Sequence, residues 1–335
     1  MKPQRSWSLQ LNLYEKVLLS VFFGLFALFS LTAPNFLTET NLASMMVQLP
    51  ELGLIALGMM VVILTAGIDL SITYIASLSG IAIAWGLANG LPIPAALLLG
   101  LASALLCGLF NAFFIARVGV SPIVLTLGSM LLFEGIALNW TKGGSISGFP
   151  EGYGVLGNGT IGPIPVPMVL FVLAVALTSA LLNRTAWGRS VYMIGSNPTA
   201  TAFSGIPTRR VLTYVYLFAA LMALVAAVVM TSRYNSAKVD YGSSYLLQSV
   251  AAVVLGGTSV RGGVGTVKGT VLGVFIFQIL SSALNLYGVS PHIVNVLMGG
   301  ILIVVLVANY FSEQWKGALR TARRAIAGDR AARTP

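Results

Sequence analysis

The sequence predicts an all-α polytopic membrane protein with about ten transmembrane helices, because about ten apolar runs approach the roughly 20 residues that span a bilayer. Two further observations support that class. Of 335 residues, 57% are hydrophobic and only 8% charged, whereas charged residues average about 25% in soluble domains. The mean hydropathy is +0.90, and the basic residues gather on alternate connections rather than in one patch. A net charge of +10 therefore reads as a topology signal and not as a nucleic-acid surface.

Residues 1–16 form a polar head with Lys2, Arg5 and Lys16, and 17–33 form the first apolar run, closed by Pro34. A cleaved signal core is the competing reading. The run is longer than such cores usually are, and proline would follow a cut after Ala33, so it is taken as a retained anchor. The second run, 42–66, breaks at Gly67–Ser71 before a third, 72–88. A turn at 89–94 leads to a fourth run, 95–115, ending at Arg117, and the stretch 118–122 opens a fifth that reaches residue 140. The glycine-rich stretch 141–164 is expected to be a surface loop. A sixth run, 165–182, precedes the long polar segment 184–210, and the seventh is 211–232. After the polar connection 233–244 come an eighth run at 245–259, a ninth at 270–287 and a tenth at 293–309. The eighth is short for a crossing, so it is expected to be broken or shielded by neighbouring helices. The chain thus divides into an N-terminal tail (1–16), a transmembrane domain (17–309) and a basic C-terminal tail (310–335).

An even number of crossings puts both termini on one side. With that side cytoplasmic, sixteen Lys/Arg fall inside and three (Lys142, Arg233 and Lys238) outside, a strong positive-inside bias. The segment 184–210 carries Arg184, Arg189, Arg209 and Arg210 and no acidic residue. It reads as a cytoplasmic coupling segment, pushed by a motor that belongs to another chain.

The motifs point away from chemistry on this chain. In Gly67–Ser71, Gly67 can turn the chain, and Asp69 or Ser71 can cap the next helix; the competing role for Asp69 is ion or proton coupling. The stretch 254–270 brings together Gly256, Gly257, Gly262, Gly263 and Gly265, but Lys268 follows Val267 instead of glycine, so the phosphate-binding pattern is not met. It reads as a glycine-rich break that lets helices approach closely. A faint likeness between 67–80 and 256–269 suggests two related halves. Gln48, Glu51, Asn111, Glu134, Gln248, Gln278 and Asn285 are candidate pathway-lining residues for a neutral, hydroxylated solute, and interhelical hydrogen bonding is the alternative for any one of them. Cys107 reads as a packing residue and His292 as a turn residue. No catalytic triad, metal cluster or carboxylate dyad stands out, so no metal or cofactor is expected.

Three stretches carry a resemblance: TAGIDLS, TAWGRSVYMIGSNPTA followed by SGIP, and AAVVLGGTSVRGGVGTVKGT. They resemble the ribose-type permease family, the membrane subunits of bacterial ATP-driven sugar importers, over residues 40–308. The connection NSAKVDYGSS also looks like that of rhamnose and autoinducer-2 permeases. The resemblance implies a type II-like ABC importer permease architecture in the inner membrane. It also implies a second permease copy, identical or not, two ATPase domains that bind the ATP, and a periplasmic sugar-binding protein. A short coupling helix is then expected around Pro198 to Gly205, including Ala200, with Gly188, Arg189, Gly195 and Asn197 shaping the approach to the ATPase. Family members often carry arginine where this chain has Glu134, which weakens any transfer of substrate contacts there. Branched-chain amino acid permeases are more distant relatives, and the GIDLS stretch favours the sugar branch.

The main rival is a secondary transporter driven by protons or sodium, for which Glu51 is the best candidate carboxylate. A membrane enzyme lacks its catalytic constellation, and a passive channel gives the long inner loop no purpose.

Overall fold

The computed structural model describes residues 12–290, 292–304 and 306–307. Ten apolar helices follow the runs closely. They are α1 (Leu13–Thr32), α2 (Glu39–Leu64), α3 (Ile72–Ala88), α4 (Ile93–Ala112) and α5 (Pro122–Thr141), then α7 (Val166–Arg184), α10 (Thr208–Tyr234), α11 (Tyr245–Leu255), α12 (Val267–Leu286) and α13 (His292–Val304). Seven are long and apolar enough to cross a membrane, while α3, α11 and α13 are shorter. Among the described residues, three polar-region helices complete the set: α6 (Glu151–Asn158), α8 (Ala186–Ser196) and α9 (Pro198–Phe203). The basic C-terminal tail lies outside the described residues.

Helix α2 is the axis of the bundle. Every residue from Leu49 to Leu64 is buried, which is the behaviour of a helix that is apolar all round. It is enclosed by α7, α10, α11 and α12. Helix α10 packs across α2, α3 and α4 and does so with small side chains: Ala219, Ala220, Ala223, Ala226 and Ala227 are all buried. At such crossings small residues let backbones come together, because lipid offers no hydrophobic drive for helix association. Gly108 on α4 shows the tolerance: a Cβ there would stand 2.8 Å from Ala220 Cβ and 3.2 Å from the Tyr216 carbonyl oxygen.

Three expectations change, and the shielding expected of the eighth run is seen. Helix α1 begins at Leu13, so Tyr14 and Glu15 belong to it instead of to a polar head. Asn12 and Glu15 form its capping box. The eighth run shrinks to the 11 residues of α11, and its central residues, Gln248 to Val254, are buried by neighbouring helices, which is how a short helix survives at membrane depth. The glycine-rich stretch 141–164 is not simply a loop. It contains α6 between two short antiparallel pairs, β1 (Ile146–Ser147) with β4 (Ser236–Ala237) and β2 (Thr160–Ile161) with β3 (Ile164–Pro165). Helix α6 docks on the end of α10 through Tyr153, whose hydroxyl lies 2.6 Å from Thr231 Oγ1 and whose carbonyl accepts from Ser232 Oγ at 2.6 Å. Finally, α4 runs on into a π-helical turn at Phe113–Val118, so the run does not stop at 115.

The two ends of the bundle differ. One carries α8 and α9 with Arg184, Arg189, Arg209 and Arg210 on or beside them; the other carries α6, the 235–244 connection and a Trp85–Trp140 ring pair 6.0 Å apart, at the place where amphipathic indoles favour a membrane boundary. Gly108→Ala is expected to destabilise the fold by about 1–3 kcal/mol through overpacking, seen as a lowered unfolding temperature in detergent. Gly128→Ala, where a Cβ meets nothing within 4 Å, should change little.

Candidate functional site: the coupling segment and the glycine junction

The segment after α7 folds into two helices because the sequence supplies both caps. Thr185 Oγ1 accepts from Gly188 N–H at 3.0 Å to start α8, and Asn197 Oδ1 accepts from Ala200 N–H at 2.9 Å to start α9. Pro198 takes the first turn of α9, where its missing N–H costs nothing. Gly205, at φ +77°, turns the chain towards α10 in a conformation that β-carbons disfavour. The outer face of α9 is open: Phe203 is 89% exposed, and Pro198 and Ala200 are exposed as well, as are Arg189 on α8 and Gly205 just beyond α9.

The inner face of α8 is the reverse. Gly188 lies on the last turn of α7, where a Cβ would overlap the Leu181 and Leu182 carbonyl oxygens. Gly195 meets the end of α2 so closely that a Cβ would overlap the Leu64 carbonyl oxygen and the Gly263 nitrogen. That same Leu64 oxygen accepts a hydrogen bond from Gly263 N–H at 2.9 Å. Gly262 stands against Ala66 N and the Gly195 Cα, and Gly263 against Ser196. Three distant stretches of sequence thus share one backbone junction. Tyr192 on α8 ties it further by donating to the Gly265 carbonyl at 3.1 Å.

The rest of the glycine-rich stretch closes the hairpin between α11 and α12. Gly256 packs on the backbone of Gly269 and Thr270, and Gly265 against Thr258. Gly257 lies beneath the Tyr14 ring, and the Tyr14 hydroxyl donates to the Leu255 carbonyl at 2.8 Å. Thr266 caps α12 and donates to Glu15 Oε1 at 2.9 Å. Sequence reading assigned no part to Tyr14 and Glu15. The pattern N-x-x-E at 12–15 was the available signal.

The turn at 67–71 packs beside this junction. Gly67 faces the Tyr216 hydroxyl and Pro122. Asp69 is fully buried, and its Oδ1 accepts from Ser71 N–H (2.9 Å) and Ser71 Oγ (2.6 Å). Neither side chain reaches the free N–H groups of α3. The carboxylate instead closes a local turn, and Asn111 Nδ2 donates to Ser71 Oγ at 2.8 Å, fastening the turn to α4. Thr126 accepts from Leu70 N–H at 3.1 Å and donates to the Ile68 carbonyl at 3.0 Å, fastening it to α5.

The polar residues considered for a pathway are scattered. Glu51, Asn111, Gln248 and Gln278 are buried by the chain itself. Gln48 and Glu134 are half-buried and Asn285 is exposed. Gln278 Nε2 lies 3.5 Å from Gln48 Oε1. Glu51 pairs with Arg233, Nε to Oε1 at 3.2 Å, and accepts from the Tyr245 hydroxyl at 2.7 Å. The sequence showed Arg233 only as an external charge, although a carboxylate inside an apolar run implies a nearby partner.

Comparison with known proteins fits this arrangement to a family. The family model described as "Branched-chain amino acid transport system / permease component" matches residues 41–306. The chain belongs to this permease family. The ribose import permease protein of Bacillus subtilis (strain 168) is 40% identical to this permease over 295 residues, 87% of this chain and 91% of the relative. The autoinducer 2 import system permease proteins of Escherichia coli (strain K12) and Shigella flexneri are each 36% identical over 267 residues, 78% of this chain and 81% of the relative. The glycine junction lies inside the matched span.

Two outcomes follow for the permease. Gly195→Ala has no room against immovable backbone, so it should break the junction, lowering the unfolding temperature in detergent and abolishing transport together. Asp69→Ala strips two buried donors of their acceptor and should cost about 1–3 kcal/mol, measured as a loss of stability relative to Asp69→Asn.

Proposed function

We propose that this permease is the membrane subunit of an ATP-driven importer that moves a monosaccharide or sugar-like small molecule across the bacterial inner membrane by alternating access. On this reading the ten apolar helices make ten crossings and both termini are cytoplasmic. The α8–α9 segment docks on an ATPase chain that binds the ATP, a second permease copy completes the pathway, and a periplasmic binding protein delivers the sugar.

One observation carries the reading: α9 exposes Phe203 and Ala200 on its outer side, while α8 behind it is joined backbone to backbone with the end of α2. A push on α9 is therefore delivered to the axis of the bundle, as rigid-body coupling requires. The basic character of 184–210 supports a cytoplasmic position. The relatives named for import of ribose and autoinducer 2 support a sugar-like solute, and the wider family name makes a branched-chain amino acid the contrasting one. The ion-coupled alternative loses support because its best carboxylate, Glu51, faces Arg233 instead of a free ion path.

Purification of the tagged permease in mild detergent should bring down an ATPase chain, and reconstituted vesicles should take up sugar on addition of ATP with ion gradients collapsed. Ala200→Glu, on the exposed face of α9, should abolish assembly with the ATPase and ATP-driven uptake while leaving the unfolding temperature unchanged. Uptake that follows a proton or sodium gradient without ATP would refute the reading.

A further inference from the structure

We propose that Glu51, Arg233 and Tyr245 form a polar latch at the far end of the bundle, which holds α2, α10 and α11 together in one state and releases in the other. Glu51 and Arg233 are then positioning residues for transport. The proposal rests on the functional reading above for its place in the cycle, but the latch itself is read from geometry alone.

Three features carry it. The first is location. Glu51 comes from the middle of α2, Arg233 from the last turn of α10 and Tyr245 from the first residue of α11, so one carboxylate joins three elements. Thirteen residues separate Glu51 from Leu64 along the helix, about 20 Å at 1.5 Å per residue. The latch and the glycine junction therefore sit at two ends of one buried rod.

The second is a joint. Pro50 immediately precedes Glu51 inside α2. Proline removes an intrahelical hydrogen bond and kinks a helix. Residues 51–64 beyond it are buried, whereas residues 39–48 before it are exposed or half-buried. The outer part of α2 can tilt about this point while the inner part, buried from Leu49 onward, stays packed, and Glu51 is the first charged side chain on the packed side.

The third is incomplete bonding. Glu51 is fully buried and its ion pair to Arg233 is 3.2 Å long, but Oε1 lies off the line of a hydrogen bond. The Tyr234 hydroxyl reaches Oε2 only at 3.5 Å, and Arg233 Nη1 is buried with no hydrogen-bond partner among the described residues. The guanidinium rests on the Tyr234 ring, 4.4 Å from its centroid, and its Nη2 donates to the Tyr234 hydroxyl, so Nη1 and Glu51 Oε1 are the atoms left without a hydrogen bond. A buried pair with every bond made is a permanent fixture. An under-satisfied pair gains hydrogen bonds when water reaches it. Arg233 retains 17% side-chain exposure, so water is close. Such an element can trade its contacts for water at low cost, which suits it to a switch between two packings.

The test uses the intact importer with its ATPase, together with the isolated permease. In Glu51→Gln the charge attraction is lost, and backbone amides of residues 234–245 should exchange with deuterium about fivefold or more faster in the isolated permease. In the importer, the ATPase rate without the binding protein should rise by about the same factor while its stimulation falls. Arg233→Glu should behave alike, and the double swap Glu51→Arg with Arg233→Glu should restore both readouts. Tyr245→Phe, which removes one hydrogen bond and little volume, gives a smaller change in the same direction and stands in if the charge variants do not fold. Unchanged exchange in Tyr245→Phe and Glu51→Gln overturns the latch, as does a charge swap that rescues nothing. If exchange responds but no ATP dependence is found in the wild-type assembly, the latch stands and the importer reading fails.

Discussion

The contact on which the rest depends is the meeting of Leu64, Gly195 and Gly263. A carbonyl at the end of the central helix is bonded by one glycine nitrogen while a second glycine lies flat against it. No side chain fits between these backbones, so the junction has almost no compliance. Closely packed interiors transmit displacement because they do not compress. Helix α8 and the turn between α11 and α12 therefore move with α2 or not at all. Tyr14 and Glu15 extend the same constraint to α1 through Leu255 and Thr266.

Most of the polar groups that fasten the bundle obey a second constraint. In a medium without water each must find a partner within the chain. Ser71 is satisfied by Asp69 and Asn111, Thr126 by the backbone of the 67–71 turn, and Tyr153 by Thr231. These bonds all join different elements or pin a turn between them, so polarity here acts as fastening for the bundle. Glu51 and Arg233 differ because they pair two ionisable groups across separate helices with Glu51 Oε1 and Arg233 Nη1 lacking a hydrogen bond. Their attraction is strong in a low dielectric, yet their desolvation is costly, and the balance is easily tipped by water.

Much of the candidate site could be read along the chain. Thr185 and Asn197 each start a helix by a bond to the residue three positions on, and Pro198 favours the first turn of α9 by its fixed backbone angle, so the two-helix form of 186–203 lies within reach of sequence reasoning. The glycines of 254–270 announced close approach without saying to what. Tyr153 shows the limit in the other direction. Eight residues of helix formed inside a glycine-rich stretch because a buried tyrosine could bond to Thr231 and Ser232 on α10, a gain that composition does not register.

The sequence by itself determined the class of protein, the positions of its apolar helices and the basic segment between α7 and α10, because hydropathy, charge placement and capping act over a few neighbouring residues. Only the tertiary structure decided that Gly195 and Gly263 meet at Leu64, that Asp69 is enclosed instead of solvated, and that Glu51 faces Arg233. These pairings join residues tens to hundreds of positions apart, and they are selected by which backbones can touch and which buried charges can find each other once the helices have packed.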